Sequence, residues 1–159
     1  MSLTVGIVDP SRSYLLRQRV LRPHQSLEAV AADNNIFGAL TFGASKGPAG
    51  EVMSTSTIYH ETPPVELTPI VELSASRQAW RLRAVATDEH HRSQGLGKLV
   101  LDAVIDHIAG EGDGVLWCNA RIPARNFYAR EGFESFGEIF VVPEFGPHIV
   151  MYRAIDARV

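Results

Sequence analysis

One stretch in the second half of the chain limits the possible folds more than any other. Trp80, Leu82, Ala84 and Ala86 alternate with Arg81, Arg83, Val85 and Thr87, which is the two-residue period of a strand. The glycine loop Arg92-Ser93-Gln94-Gly95-Leu96-Gly97 follows. Leu96, Leu99, Val100, Ala103, Val104 and Ile108 then recur at helical spacing, giving a helix with one apolar face. A strand, a glycine loop and a helix in succession imply a sheet with helices packed on it.

The same stretch is suited to holding a phosphate. The start of a helix leaves backbone N–H groups without intrahelical partners, and the helix dipole favours an anion there. Gly95 and Gly97 carry no Cβ, so a pyrophosphate can come close to the backbone. Arg92 can add a charge-assisted contact. Lys98, in the first turn, opposes the dipole unless an anion sits nearby. The dinucleotide fingerprint is excluded because Val100 stands where its third glycine belongs. The Walker motif is excluded because Leu99 follows Gly97-Lys98 and position 92 is not glycine. Taken alone, G-x-G at a helix start is equally consistent with a tight turn.

The rest of the chain fits a mixed α/β order of strand, helix, several strands, helix, strand, helix and two strands. Leu3 to Val8 reads as a strand, with a helical pattern from Asp9-Pro10-Ser11 to about Leu21. Asn35 to Ala44 and Val52 to Tyr59 read as strands joined by a long glycine-rich loop. Pro63, Pro64 and Pro69 are expected to break regular structure. A short strand near 115–119 precedes a short helix near 123–131, with Gly132 placed to stop it. Strands near 133–142 and 148–155 close the chain.

At 159 residues the chain is expected to form a single domain, 1–159. Hydrophobic residues make up 45% and charged residues 21%, ordinary for a soluble protein. With no long apolar run and no leader-like start, the reading is cytoplasmic, with no membrane partner. Cys118 is the only cysteine and lies in an apolar stretch, so it reads as a buried small hydrophobe. One cysteine permits neither an intrachain disulfide nor a cysteine-based zinc site, and no metal is expected. A net charge of −3 without a basic run gives no support for nucleic-acid binding.

The loop and its strand, Val85 to Gly97, resemble the acetyl-CoA motif of the GNAT superfamily of N-acetyltransferases: a strand, then Q/R-x-x-G-x-G/A, then a helix. About thirty residues on, Ala124-Arg125-Asn126-Phe127-Tyr128-Ala129-Arg130-Glu131-Gly132-Phe133 is similar to that family's second signature, A-x-x-F/L-Y-x-x-x-G-F. Gly146-Pro147-His148-Ile149-Val150-Met151 resembles the last strand of small bacterial members, and Val20 to Gln25 resembles their opening. The resemblance implies an α+β fold with a mixed, mostly antiparallel central sheet, a splayed strand pair, and helices on both faces.

It also implies a reaction. Acetyl-CoA serves as co-substrate and a primary amine of a small molecule, peptide or protein accepts the acetyl group; a homodimer is the assembly considered. Backbone groups of Val85 and Thr87 would pair with the pantetheine arm, and Arg92, Ser93, Gln94, Gly95, Leu96, Gly97 and Lys98 would hold the pyrophosphate. Tyr128 would protonate the departing thiolate. Where the family often has an asparagine, this chain has Arg121, so Asn119 and Asn126 are the nearby candidates for that contact. Arg125 either meets the nucleotide phosphate or faces solvent. The base that frees the amine is sought among Glu72, Glu144 and His148. His90 and His91 lack ligand companions and read as ordinary polar residues. The competing reading is a non-catalytic acyl-CoA-binding module, for sensing or interaction, which would have no need of a phenol at position 128.

Overall fold

The computed structural model describes residues 2–159; Met1, the first residue of the expected domain, lies outside them. The strands are β1 (Leu3–Val8), β2 (Leu40–Lys46), β3 (Val52–His60), β4 (Gln78–Thr87), β5 (Gly114–Arg121), β6 (Glu134–Val142) and β7 (Gly146–Ile155). The helices are α1 (Tyr14–Leu21), α2 (Leu27–Asp33), α3 (Thr68–Ser74), α4 (Leu96–Glu111) and α5 (Arg125–Arg130). The strand order is β1-β2-β3-β4-β5-β7-β6. β1–β2, β2–β3, β5–β7 and β6–β7 pair antiparallel, whereas β4–β5 pair parallel, Gln78 opposite Gly114 through Arg81 opposite Trp117. The sheet is thus mixed and mostly antiparallel, as expected.

Three local differences from the sequence reading have physical causes. α2 was not expected, but Ser26 caps it by accepting a 3.1 Å hydrogen bond from the Ala29 backbone N–H. α3 forms around Pro69, which sits in the first turn, where its missing N–H costs nothing, and so starts a helix instead of breaking one. β2 begins at Leu40, not Asn35, because a turn through Gly38 at φ 75° precedes it. β2 then runs on into the glycine-rich segment as far as Lys46. A Cβ on Gly43 would come within 3.2 Å of Val52 and 3.3 Å of Val8, so a glycine in mid-strand suits that close packing.

The chain divides into two compact units, residues 1–59 with 82–107 and residues 60–81 with 108–159. In the first, Leu16, Val52 and Ala86 pack with Val20 and Leu21. In the second, Trp117 is packed among Ile70, Val115 and Val150. On α4 the buried stripe is Leu96, Val100, Leu101, Val104 and Ile108, while Leu99 is exposed. Leu101, not Leu99, therefore flanks the four-residue row 96/100/104/108 on its buried side. Among the described residues no helix is long and apolar enough to cross a membrane.

Candidate functional site

The anion-binding reading of the loop can be tested on its backbone. β4 contains a residue in the left-handed region, Ala84 at φ 55°. A non-glycine residue held there within a strand interrupts the pleat and marks a position fixed by its surroundings. At the end of β4, the Asp88 N–H donates to the Met53 carbonyl at 2.8 Å, and the Thr87 and Ser54 hydroxyls are 2.9 Å apart. Asp88 Oδ1 then accepts from the His90 N–H at 3.0 Å, while its Oδ2 accepts from Arg19 at 3.0 Å and lies 3.7 Å from His91 Nδ1. These contacts brace the turn that delivers the loop and assign His90 and His91 to local structure.

Within the loop, Ser93 at φ 65° and Gly95 at φ 76° are both left-handed. Gly95 is also the first carbonyl of α4, accepting from the Leu99 N–H at 3.1 Å. The N–H groups just after it precede the first intrahelical donor, as at any helix start. A Cβ on Gly95 would meet nothing within 4 Å, so the loop faces open space there. Arg92 is exposed beside it. The Lys98 ammonium is 3.1 Å from the Asp102 carboxylate, so a fixed anion already offsets its opposition to the dipole. The residues present fit a phosphate-bearing ligand, with N–H groups, a missing side chain and a free-standing arginine on one loop.

In the second unit Tyr128 is held by the way α5 ends. The Phe133 N–H donates to the Tyr128 carbonyl at 3.0 Å and the Gly132 N–H to the Ala129 carbonyl at 3.2 Å, with Gly132 at φ 86°. This doubly bonded glycine stop is completed by the Tyr128 and Phe133 rings, whose centroids are 5.3 Å apart. Phe127 adds an edge contact at 5.3 Å. Tyr128 is 5% exposed. Burial pushes its pKa well above the usual 10.0; the adjacent Cys118 adds to the rise and the Arg121 guanidinium opposes it. The phenol therefore stays protonated through the neutral range. Cys118 is itself buried, as expected, and its thiol is pushed up to about 12 by desolvation.

The register of β5 on β7 sets Arg121 opposite His148. Directly opposed residues of an antiparallel pair share a face. His148 is 6% exposed, stacks on Phe140 at 5.9 Å, and has Nδ1 2.8 Å from the Gly146 carbonyl. A carbonyl only accepts, so Nδ1 carries the hydrogen, and in the neutral ring Nε2 keeps its lone pair. Glu144 is exposed in the β6–β7 turn at φ 73°. Glu72 is exposed on α3.

Asn119 is half-buried on β5, Asn126 is exposed on α5, and Arg125 reaches the Ser135 hydroxyl at 3.4 Å. The second unit contains Tyr128, Arg121, His148, Asn119, Arg125, Asn126, Glu144 and Glu72, while the first holds Val85, Thr87 and the loop. Arg121 entered the sequence reading only as a departure from a pattern. Its guanidinium lies 5.4 Å from the Phe145 ring centroid, and its charge reaches Tyr128. The register with His148 was the signal that reading lacked.

Comparison with known proteins bears on the whole chain. Residues 30–135 match the family model of the acetyltransferase (GNAT) domain. The N-acetyltransferase YitI of Bacillus subtilis (strain 168), itself uncharacterized, is 31% identical over 154 residues, 96% of this chain and 97% of that protein. Among solved structures, the ribosomal-protein-S18-alanine N-acetyltransferase from Escherichia coli superposes with a TM-score of 0.67 at 18% identity, covering 99% of this chain and 97% of that one. The histone acetyltransferase HPA2 and related acetyltransferase from Corynebacterium glutamicum gives a TM-score of 0.66 at 20% identity, covering 100% and 99%.

Proposed function

This chain belongs to the acetyltransferase (GNAT) family, and from that premise we propose how its residues divide the work. The protein is an acetyl-CoA-dependent N-acetyltransferase acting on an amine. Residues 1–159 would work as one domain. The loop Arg92–Lys98 binds the pyrophosphate through its backbone N–H groups, with Arg92 adding a charged contact. Backbone groups of Val85 and Thr87, where the strand pair is expected to splay, hold the pantetheine arm. Asn119, Arg125 and Asn126 are assigned supporting contacts to the cofactor. Bound acetyl-CoA supplies an acyl group activated as a thioester. Tyr128 then holds its proton ready for the sulfur that departs.

The remaining proton is on the acceptor, because an ammonium has no lone pair and must lose a proton before it can attack. We assign its removal to His148, whose Nδ1–H bond to the Gly146 carbonyl leaves Nε2 as the basic atom. That single contact carries the assignment. Glu144, exposed in the turn, is left with a solvated carboxylate and a lesser role in attracting the cationic amine.

The test is the pH profile of His148→Gln. Removing a general base should lower kcat by roughly 10²–10⁴-fold near neutral pH. The deficit should shrink as the pH approaches the acceptor's own pKa, where solvent frees the amine. A deficit that stays constant across that range would mean that His148 only supports the β6–β7 hairpin.

A further inference from the structure

The first unit contains a group of charges that neither the loop nor the strand chemistry uses. Asp33, the last residue of α2, is approached by three guanidiniums. Arg17 of α1 is 3.7 Å from its Oδ2, Arg22 at the end of α1 is 3.2 Å away, and Arg83 of β4 is 3.3 Å away. Arg17 and Arg83 alone set two positive charges against this one carboxylate. The other partners of Arg17 and Arg83 are neutral. Arg17 donates to the Asn34 amide oxygen at 2.9 Å and lies 5.8 Å from the Tyr14 ring centroid, and the Tyr59 phenol lies near Arg83.

The imbalance matters because it is partly buried. The Arg17 side chain is only 4% exposed, and taking a guanidinium out of water is costly unless its charge is met. One carboxylate cannot neutralise two guanidiniums. The side chains of Arg22 and Arg83, at 20% and 33% exposed, form the open side of the group. Planar, fixed guanidinium forks favour an anion that can accept two parallel hydrogen bonds. Arg83 also stands two and four residues before Val85 and Thr87, on the strand assigned to the pantetheine arm.

We propose that Arg17, Arg22 and Arg83 form the recognition site for a carboxylate carried by the acceptor, so that the substrate class is an amine that also bears a carboxylate. This rests on the acetyltransferase reading and adds the acceptor's chemical class to it. Asp33 holds the three arginines in position until the acceptor's carboxylate supplies the second negative charge.

The experiment uses matched acceptors: leucine, phenylalanine, β-alanine and 4-aminobutyrate, each against its own primary amide. Wild-type protein should favour at least one acid over its amide by about 10–100-fold in kcat/KM, the range expected for hydrogen bonds to a charged group. Arg83→Gln and Arg22→Gln should bring that ratio close to one, mainly through KM, and Arg83→Lys should restore part of it. Acetyl-CoA affinity by calorimetry should not change. Independently of turnover, the deaminated carboxylates 4-methylpentanoate and 3-phenylpropanoate should bind the wild-type protein in the presence of CoA and should not bind Arg83→Gln. Amides acetylated as well as acids by the wild-type protein would overturn the proposal and leave the acetyltransferase reading standing. Binding of the deaminated acids without acetylation of any amine would support the carboxylate site and count against the transferase reading instead. If Arg83→Gln weakened CoA but not dephospho-CoA, the cluster would belong to the cofactor's 3′-phosphate and the proposal would fall.

Discussion

The two side chains to which we assign the proton chemistry both lie in the second unit, and each is prepared by its neighbours. His148 is set by one carbonyl, which fixes its tautomer. Tyr128 is set by burial, which makes the phenolate costly and keeps the proton on oxygen past the ordinary value of 10.0. A donor of this kind can hydrogen-bond to a developing thiolate at every pH at which the enzyme works. The expected outcome for Tyr128→Phe is therefore a loss of roughly 10²–10⁴-fold in kcat with little change in acetyl-CoA affinity, since the ring stack with Phe127 and Phe133 survives. Because the shift is upward, the wild-type rate should show no descending limb from this group below about pH 10. Wild-type turnover by the phenylalanine variant would make Tyr128 a packing residue.

At the scale of elements, the strand–loop–helix was legible because each part has its own local signature: the period-two run into Thr87, the glycines, and the four-residue row on α4. The glycine stop of α5 was legible for the same reason, since Gly132 can adopt a positive φ at little cost. The two short helices were not. Seven residues are too few to display a period, and their starts depend on a single cap at Ser26 and on a proline that can either begin or end a helix. The arginine group around Asp33 was invisible for a different reason, because its members come from α1, α2 and β4 and only the fold unites them. The loop geometry sharpens one expectation. Gly95 sits at φ 76° with open space at its Cβ position, so Gly95→Ala tests backbone strain, about 1–2 kcal/mol, while Gly95→Glu also places a charge where we propose that the pyrophosphate lies. Calorimetry should find acetyl-CoA binding weakened modestly in the first and abolished in the second. Equal affinities in the two variants would assign the loss to strain alone.

For the whole molecule, the match to the family runs from residue 30 to residue 135 and so includes both glycine loop and Tyr128. The two units have separate apolar clusters, one around Leu16, Val52 and Ala86 and the other around Trp117. The first carries the loop and the second carries Tyr128 and His148. A ligand that binds only the native state stabilises it by mass action, by about 2.7 kcal/mol at a hundredfold excess over its dissociation constant. Thermal unfolding with and without acetyl-CoA therefore reports on the entire chain through a site assigned to one loop. Wild-type protein should melt at a higher temperature in millimolar acetyl-CoA, and Gly95→Glu should melt at the same temperature with or without it. A wild-type melting curve that acetyl-CoA leaves unshifted, or a variant stabilised as much as the wild type, would contradict the assignment of the loop Arg92–Lys98 as the acetyl-CoA site.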